Sequence, residues 1–161
     1  MTKMQTTPAT AADPTAAAAA AQFLSPVVLG LQALAVNGKQ AHWNVRGANF
    51  IAIHELLDEI VAHAQTGADD AAERIVALGL PVDARVSTIA EKVKKTEVPA
   101  GFTQWDSLIR SVIADMDAVI LDAKVAIEGL DEIDLTSQDV AINITESLEK
   151  DRWFLFAHLA E

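Results

Sequence analysis

Four side chains in the N-terminal half of the chain could together bind a transition-metal ion. They are His42 and His54, within KQAHWNVRGANFIAIHE, and Asp69 and Glu73, within ADDAAER. Imidazole and carboxylate ligands suit Fe(II), Mn(II) or Zn(II), and in a chain without cysteine ligand softness does not choose among them. Their spacing restricts how they can meet. His54 and Asp69 fall in what reads as one continuous helix, where fifteen residues correspond to roughly 22 Å, while a metal–ligand bond is about 2 Å long. One copy of the chain cannot close such a site. Two copies can, if a two-fold axis near the middle of this helix sets each cluster against its opposite from the neighbour, giving two equivalent sites per dimer. Asp58, one turn beyond His54 on the same helical face, joins the histidine end.

The elements that position these residues follow from the apolar pattern. Asp13-Pro14 is a suitable cap and first residue for a helix, and the alanines at 16–21 have the highest helix propensity available. Phe23, Leu24, Val27, Val28, Leu31, Leu34 and Ala41 then recur at three- and four-residue intervals up to Arg46-Gly47. A second helix is expected from about Asn49 to Leu78, capped by Gly79 and stopped by Pro81. Residues 80–102 form a long connection, in which Thr88-Ile89-Ala90-Glu91 resembles the capping box of a short helix. A third helix is expected from Thr103 to Gly129, with an apolar stripe from Trp105 to Ile127. A fourth from about Thr136 carries Val140, Ile144, Leu148, Leu155 and Leu159. No segment alternates as a strand would. Residues 1–13 are small and polar and read as a disordered tail, leaving 14–161 as one all-α domain. It is a four-helix bundle with a short helix in the long connection between helices 2 and 3, the ferritin-like arrangement. The intrachain di-iron version of that arrangement needs Glu-x-x-His motifs, which this chain lacks. The omission favours a site shared between subunits.

The run Lys39-Gln40-Ala41-His42-Trp43-Asn44-Val45-Arg46-Gly47-Ala48-Asn49-Phe50 resembles the Dps family, the DNA-protection miniferritins of bacteria. So do His54-Glu55-Leu56-Leu57-Asp58, and Asp69 with Ala72-Glu73-Arg74. The resemblance is carried by the spacing His-x11-His-x14-Asp-x3-Glu and extends over about residues 20–160. It implies a homo-oligomer, a hollow dodecamer built from two-fold dimers, with iron as the metal. Iron(II) would be oxidised by hydrogen peroxide in preference to dioxygen, and the ferric mineral held in an acidic cavity. By position, His42 and His54 of one subunit and Asp69 and Glu73 of its partner would be the iron ligands. Asp58 would support a second, weaker iron, and Trp43 would sit beside the centre and trap oxidising equivalents. Acidic residues near the start of the fourth helix (Asp131, Asp134, Asp139) would line three-fold pores. Ordinary structural roles are expected for His63 and His158, for Trp105 and Trp153 as core residues, and for Arg74 as an interface partner of Glu73.

Composition bounds the alternatives. The formal net charge of −11 over 161 residues attracts cations and repels nucleic acid. Residues 1–21 carry one lysine, Lys3, whereas tight DNA binding takes roughly six to ten phosphate contacts. DNA binding is therefore expected to be weak or absent. No run of 18 or more consecutive apolar residues suggests a membrane span, and a cytoplasmic location is the expectation. A histidine–carboxylate metal can also activate water, which leaves metal-assisted hydrolysis as a possible side activity without a legible substrate pocket.

Overall fold

The computed structural model describes residues 13–160; the expected tail lies almost wholly outside that range. Helix α1 (Pro14–Asn44) begins where Asp13 and Pro14 indicate, with the Asp13 carboxylate accepting from the backbone N–H of Thr15 (2.8 Å) and Ala16 (3.3 Å). A two-residue strand β1 (Val45–Arg46) follows, then α2 (Phe50–Ala77) and α3 (Val86–Lys92). Strand β2 (Thr103–Gln104), α4 (Trp105–Leu130) and α5 (Leu135–Ala157) complete the order. Helix α1 packs on α2 and α4, α5 packs on α4 and α2, and the four long helices enclose one core. Leu24, Leu31, Leu34, Ile53, Leu57, Ile60, Leu108, Met116 and Leu148 are among its fully buried side chains.

Helix α2 ends as its sequence indicates. Gly79 takes φ +88°, and the N–H of Leu80 reaches back to the carbonyl of Ile75 (3.3 Å), satisfying one of the carbonyls a helix end leaves free.

Several expectations are corrected. Thr88 lies inside α3 rather than capping it, because its hydroxyl donates to Asp83, whose carboxylate also holds Arg85. α4 runs through Gly129 to Leu130 and starts two residues after Thr103, since Thr103 and Gln104 are taken up by a parallel bridge to Val45 and Arg46. A two-residue strand is too short to show alternation, which is why the pattern hides it. Trp153, expected in the core, is 61% exposed on α5, while Trp105 is partly buried against the core. α1 is also long and apolar enough to cross a membrane by length and composition, its richest 18-residue window having a mean hydropathy of 1.7. Alanine raises that average, and half of the window is buried inside the bundle.

Candidate metal centre

The turn between α1 and α2 places His42 and His54 against each other. Gly47 makes this turn possible at φ +117°, a conformation open to glycine and strained for other residues. The parallel bridge from β1 to β2 holds the turn to the start of α4, and Trp105 of α4 fills the space beside Gly47.

The two imidazoles stack with ring centroids 3.6 Å apart and planes inclined by 21°. Each is fixed by the other's backbone. His42 Nδ1 lies 2.7 Å from the carbonyl oxygen of His54, and His54 Nδ1 lies 2.9 Å from that of His42. A carbonyl oxygen only accepts, so both Nδ1 atoms carry the proton and donate. In the neutral ring Nε2 is then the nitrogen that keeps a lone pair, as a metal ligand requires. His42 is buried and His54 half-buried, so these rings have little freedom to turn.

Asp58 arrives at the same end. Its carboxylate forms an ion pair with Lys39 and lies 3.3 Å from His42 Nδ1. The hydrogen bond from Lys39 is the main cause holding the Asp58 carboxyl below the usual aspartate range, and the nearby histidines add to it. Trp43 is 65% exposed on the surface of α1, one position after His42.

Asp69 and Glu73 are exposed on α2, on a helix that is continuous from His54 through both of them. The separation of roughly 22 Å along the axis therefore applies. Among the described residues no three histidine, aspartate or glutamate side chains of the single chain gather around a position that could hold a metal ion. The structure brings together His42, His54 and Asp58 and leaves Asp69 and Glu73 at a distance.

Arg74 differs from its expected role. It is turned away from Glu73 toward α5, its Nε donating to Ser137 Oγ (2.9 Å) and a terminal nitrogen to Asp134 (2.8 Å). Burial alone would push the Asp134 carboxyl up, but the Ser137 hydroxyl and the Arg74 guanidinium outweigh it and hold it low. Asp131 and Asp139 are exposed near the start of α5.

His63, expected in an ordinary structural role, meets a buried carboxylate of α5. His63 Nδ1 lies 2.9 and 3.1 Å from the two carboxylate oxygens of Asp151, a buried residue of α5. The two residues are 88 apart in sequence, so no spacing rule could have paired them.

The chain is similar to known proteins in sequence and in fold. Residues 28–161 match the ferritin-like domain family. A solved structure of Dps from Microbacterium arborescens, in its high iron form, superposes with a TM-score of 0.92. It has 70% sequence identity, over 94% of this chain and 99% of that one. The DNA protection during starvation protein of Agrobacterium fabrum is 33% identical over 80% of both chains. The fine tangled pili major subunit of Haemophilus ducreyi is 34% identical over 86% of this chain and 74% of that protein.

Proposed function

From the premise that this chain belongs to the Dps family of ferritin-like proteins, with its iron-storage and DNA-protection role, we propose that it oxidises iron(II) at centres shared between two subunits and stores the ferric product. The observation that carries this reading is the reciprocal lock on His42 and His54, which commits each Nδ1 to a backbone carbonyl and leaves Nε2 of the neutral ring as the nitrogen available to a metal.

In this proposal His42 and His54 of one protomer bind iron(II), and Asp69 and Glu73 of its partner complete the site. Imidazole leaves the ferrous ion open positions for the oxidant, and the carboxylates stabilise the trivalent product. With hydrogen peroxide as oxidant, two iron(II) ions each give up one electron. The O–O bond breaks, two protons are taken up and two waters form, so no hydroxyl radical need be released. Dioxygen is the slower alternative. Asp58 supports a second, weaker iron in competition with Lys39, which already holds its carboxylate. Trp43, exposed beside His42, serves as an oxidisable group near the centre. The assembly is a dodecamer built from two-fold dimers, with Asp131, Asp134 and Asp139 near its pores and with residence in the cytoplasm. Among these three, Asp134 would reach a passing cation only by giving up Arg74.

Protons compete with iron for imidazole Nε2, and imidazole ordinarily titrates near pH 6.5. Iron(II) affinity should therefore fall progressively below about pH 6. Anaerobic iron titrations at pH 5 and pH 7 check this, and equal affinities would contradict histidine ligation.

The DNA-protection name of the Agrobacterium relative raises direct DNA binding as a second role. The net charge of −11 and the single lysine in residues 1–21 oppose it. Plasmid should migrate unretarded with this protein at neutral pH and moderate salt. A retarded band would show that the protein binds DNA despite its charge.

The test of the main reading is anaerobic addition of iron(II) followed by peroxide, tracking ferric absorbance and tryptophan fluorescence. One peroxide consumed per two irons supports the paired centre. A one-to-one ratio with radical release would overturn it.

A further inference from the structure

A groove of 360 Å³ runs between α1 and α4 and is bordered at one end by the segment that follows α3. That volume lies toward the small end of the range for small-molecule sites. None of the lining residues belongs to the proposed centre shared with a partner. The floor is apolar, with Leu29, Gly30 and Ala33 of α1 facing Ala118 and Val119 of α4. These are mostly small side chains, and Gly30 in particular lets the helices approach, since a Cβ there would stand 3.1 Å from Val119 Cγ2.

The two ends of the groove differ in charge. At one end the Asp115 carboxylate is already engaged, accepting from the Thr96 hydroxyl and from the backbone N–H of Glu97 (3.0 Å). These bonds tie the segment after α3 to α4, and Lys92, Lys94 and Lys95 line this border. Asp122 lies two turns further along α4 on the same face, about 10 Å away. It is half-buried, and burial is the one influence on its carboxyl, pushing it up. Among the described residues no cation or hydrogen-bond donor offsets that burial.

The helix opposite supplies acceptors at this level. α1 and α4 run antiparallel, with Gly30 against Val119 and Phe23 against Gly129, which sets Asp122 near the turn containing Ser25 and Pro26. Ser25 spends its hydroxyl proton on the carbonyl of Ala21 and keeps lone pairs on its oxygen. Pro26, inside α1, has no N–H to give the Gln22 carbonyl one turn back. Gln22, Ser25 and Pro26 all line the groove.

We infer that this groove binds a small primary amine with an apolar body. The ammonium group sits on the Asp122 carboxylate, with the Gln22 carbonyl and Ser25 Oγ as further acceptors, and the body lies on the floor between α1 and α4. A cation relieves a carboxylate that burial has stripped of water and left unpaired, and the resulting hydrogen bonds are charge-assisted. The lysines at the far end repel an ammonium group and so fix the direction in which the ligand enters. They are exposed, where a charge pair contributes little, so they do not hold an anion in its place. The net charge of −11 adds a longer-range attraction for cations. The site lies within one chain and does not depend on the reading of the shared centre.

The test uses the full-length protein in its own assembly and three probes of similar size, 2-phenylethylamine, 2-phenylethanol and 3-phenylpropanoate. Titration calorimetry at pH 7.5 should find one amine bound per chain. The amine should bind at least about tenfold more tightly than the alcohol, as one charge-assisted hydrogen bond requires. The carboxylate should bind no better than the alcohol. Asp122→Asn should abolish the preference for the amine over the alcohol. Ala118→Leu fills the groove from the α4 side while keeping Asp122, so it reports on the site even if the Asp122 variant does not fold. It should weaken binding of the amine at least tenfold. No amine bound, tighter binding of 3-phenylpropanoate, or an amine affinity unchanged by Ala118→Leu would overturn the proposal, the last by showing only general attraction to an acidic protein.

Discussion

Mixing His54→Gly subunits with Asp69→Ala subunits should restore iron oxidation that neither variant supports alone. Each variant by itself places a lesion in both centres of every dimer, because each centre draws imidazole from one protomer and carboxylate from the other. Loss of one direct ligand should lower the oxidation rate by at least about 100-fold, more than the 10- to 100-fold ascribed to an outer partner. In a mixed dimer both lesions fall in the same centre and the other is whole. Random reassociation makes about half of all dimers mixed, so about a quarter of the centres should be intact. The measurement is the initial rate of ferric absorbance after peroxide addition, with the variants co-expressed or refolded together. A mixture as inactive as its components would mean that histidines and acids do not share an ion. The reasoning depends on α2 running unbroken from Phe50 to Ala77, which keeps Asp69 out of reach of the His54 on its own chain.

The second large effect is expected at the turn that sets the histidines face to face. Gly47→Val should destabilise the protein by about 4 kcal/mol, combining the strain of a positive φ with the overpacking of an occupied space. A Cβ at this position would stand 2.6 Å from Trp105 Cδ1 and 2.7 Å from Gln104 Oε1. The indole belongs to the start of α4 and is partly buried, so it cannot simply swing aside. At roughly 2–4 °C per kcal/mol for a chain of this size, the melting midpoint should fall by about 8–16 °C. Iron affinity should fall as well, because displacing β1 loosens the register in which each histidine donates to the other's carbonyl. Calorimetric scans and anaerobic iron titrations of this variant check both parts. A Gly47→Val protein with unchanged midpoint and affinity would show that the turn is not what holds the pair.

A good part of the molecule is legible from the chain alone. Helical periodicity is a local property, and the apolar repeats in α1, α2, α4 and α5 announce their buried faces without reference to neighbours. Caps are local too, so Asp13-Pro14 and Gly79 mark their helix ends within the few residues that form them. The argument that one chain cannot bring His54 and Asp69 to one ion is also arithmetic on a helix of fixed rise. Where local signals compete, the sequence misleads. Thr88-x-x-Glu91 has the pattern of a cap, but the Asp83 carboxylate captures the threonine and the helix begins two residues earlier.

The rest is decided by which surfaces meet. Trp153 is apolar enough for the core, yet the buried face of α5 runs through Ala141, Ile144, Leu148, Asp151 and Leu155, and the indole lies off it and stays outside. Arg74 and Glu73 are neighbours in the chain, but α5 offers the guanidinium two oxygen acceptors at 2.8 and 2.9 Å and draws it away. The sequence by itself determined the helices, the metal-binding residue types and the need for a second subunit, because rise per residue and side-chain period are set by backbone geometry. Only the tertiary structure decided which nitrogen of His42 and His54 is free, and that His63 stands against Asp151. Both depend on hydrogen bonds between helices, whose partners are chosen by packing rather than by spacing along the chain.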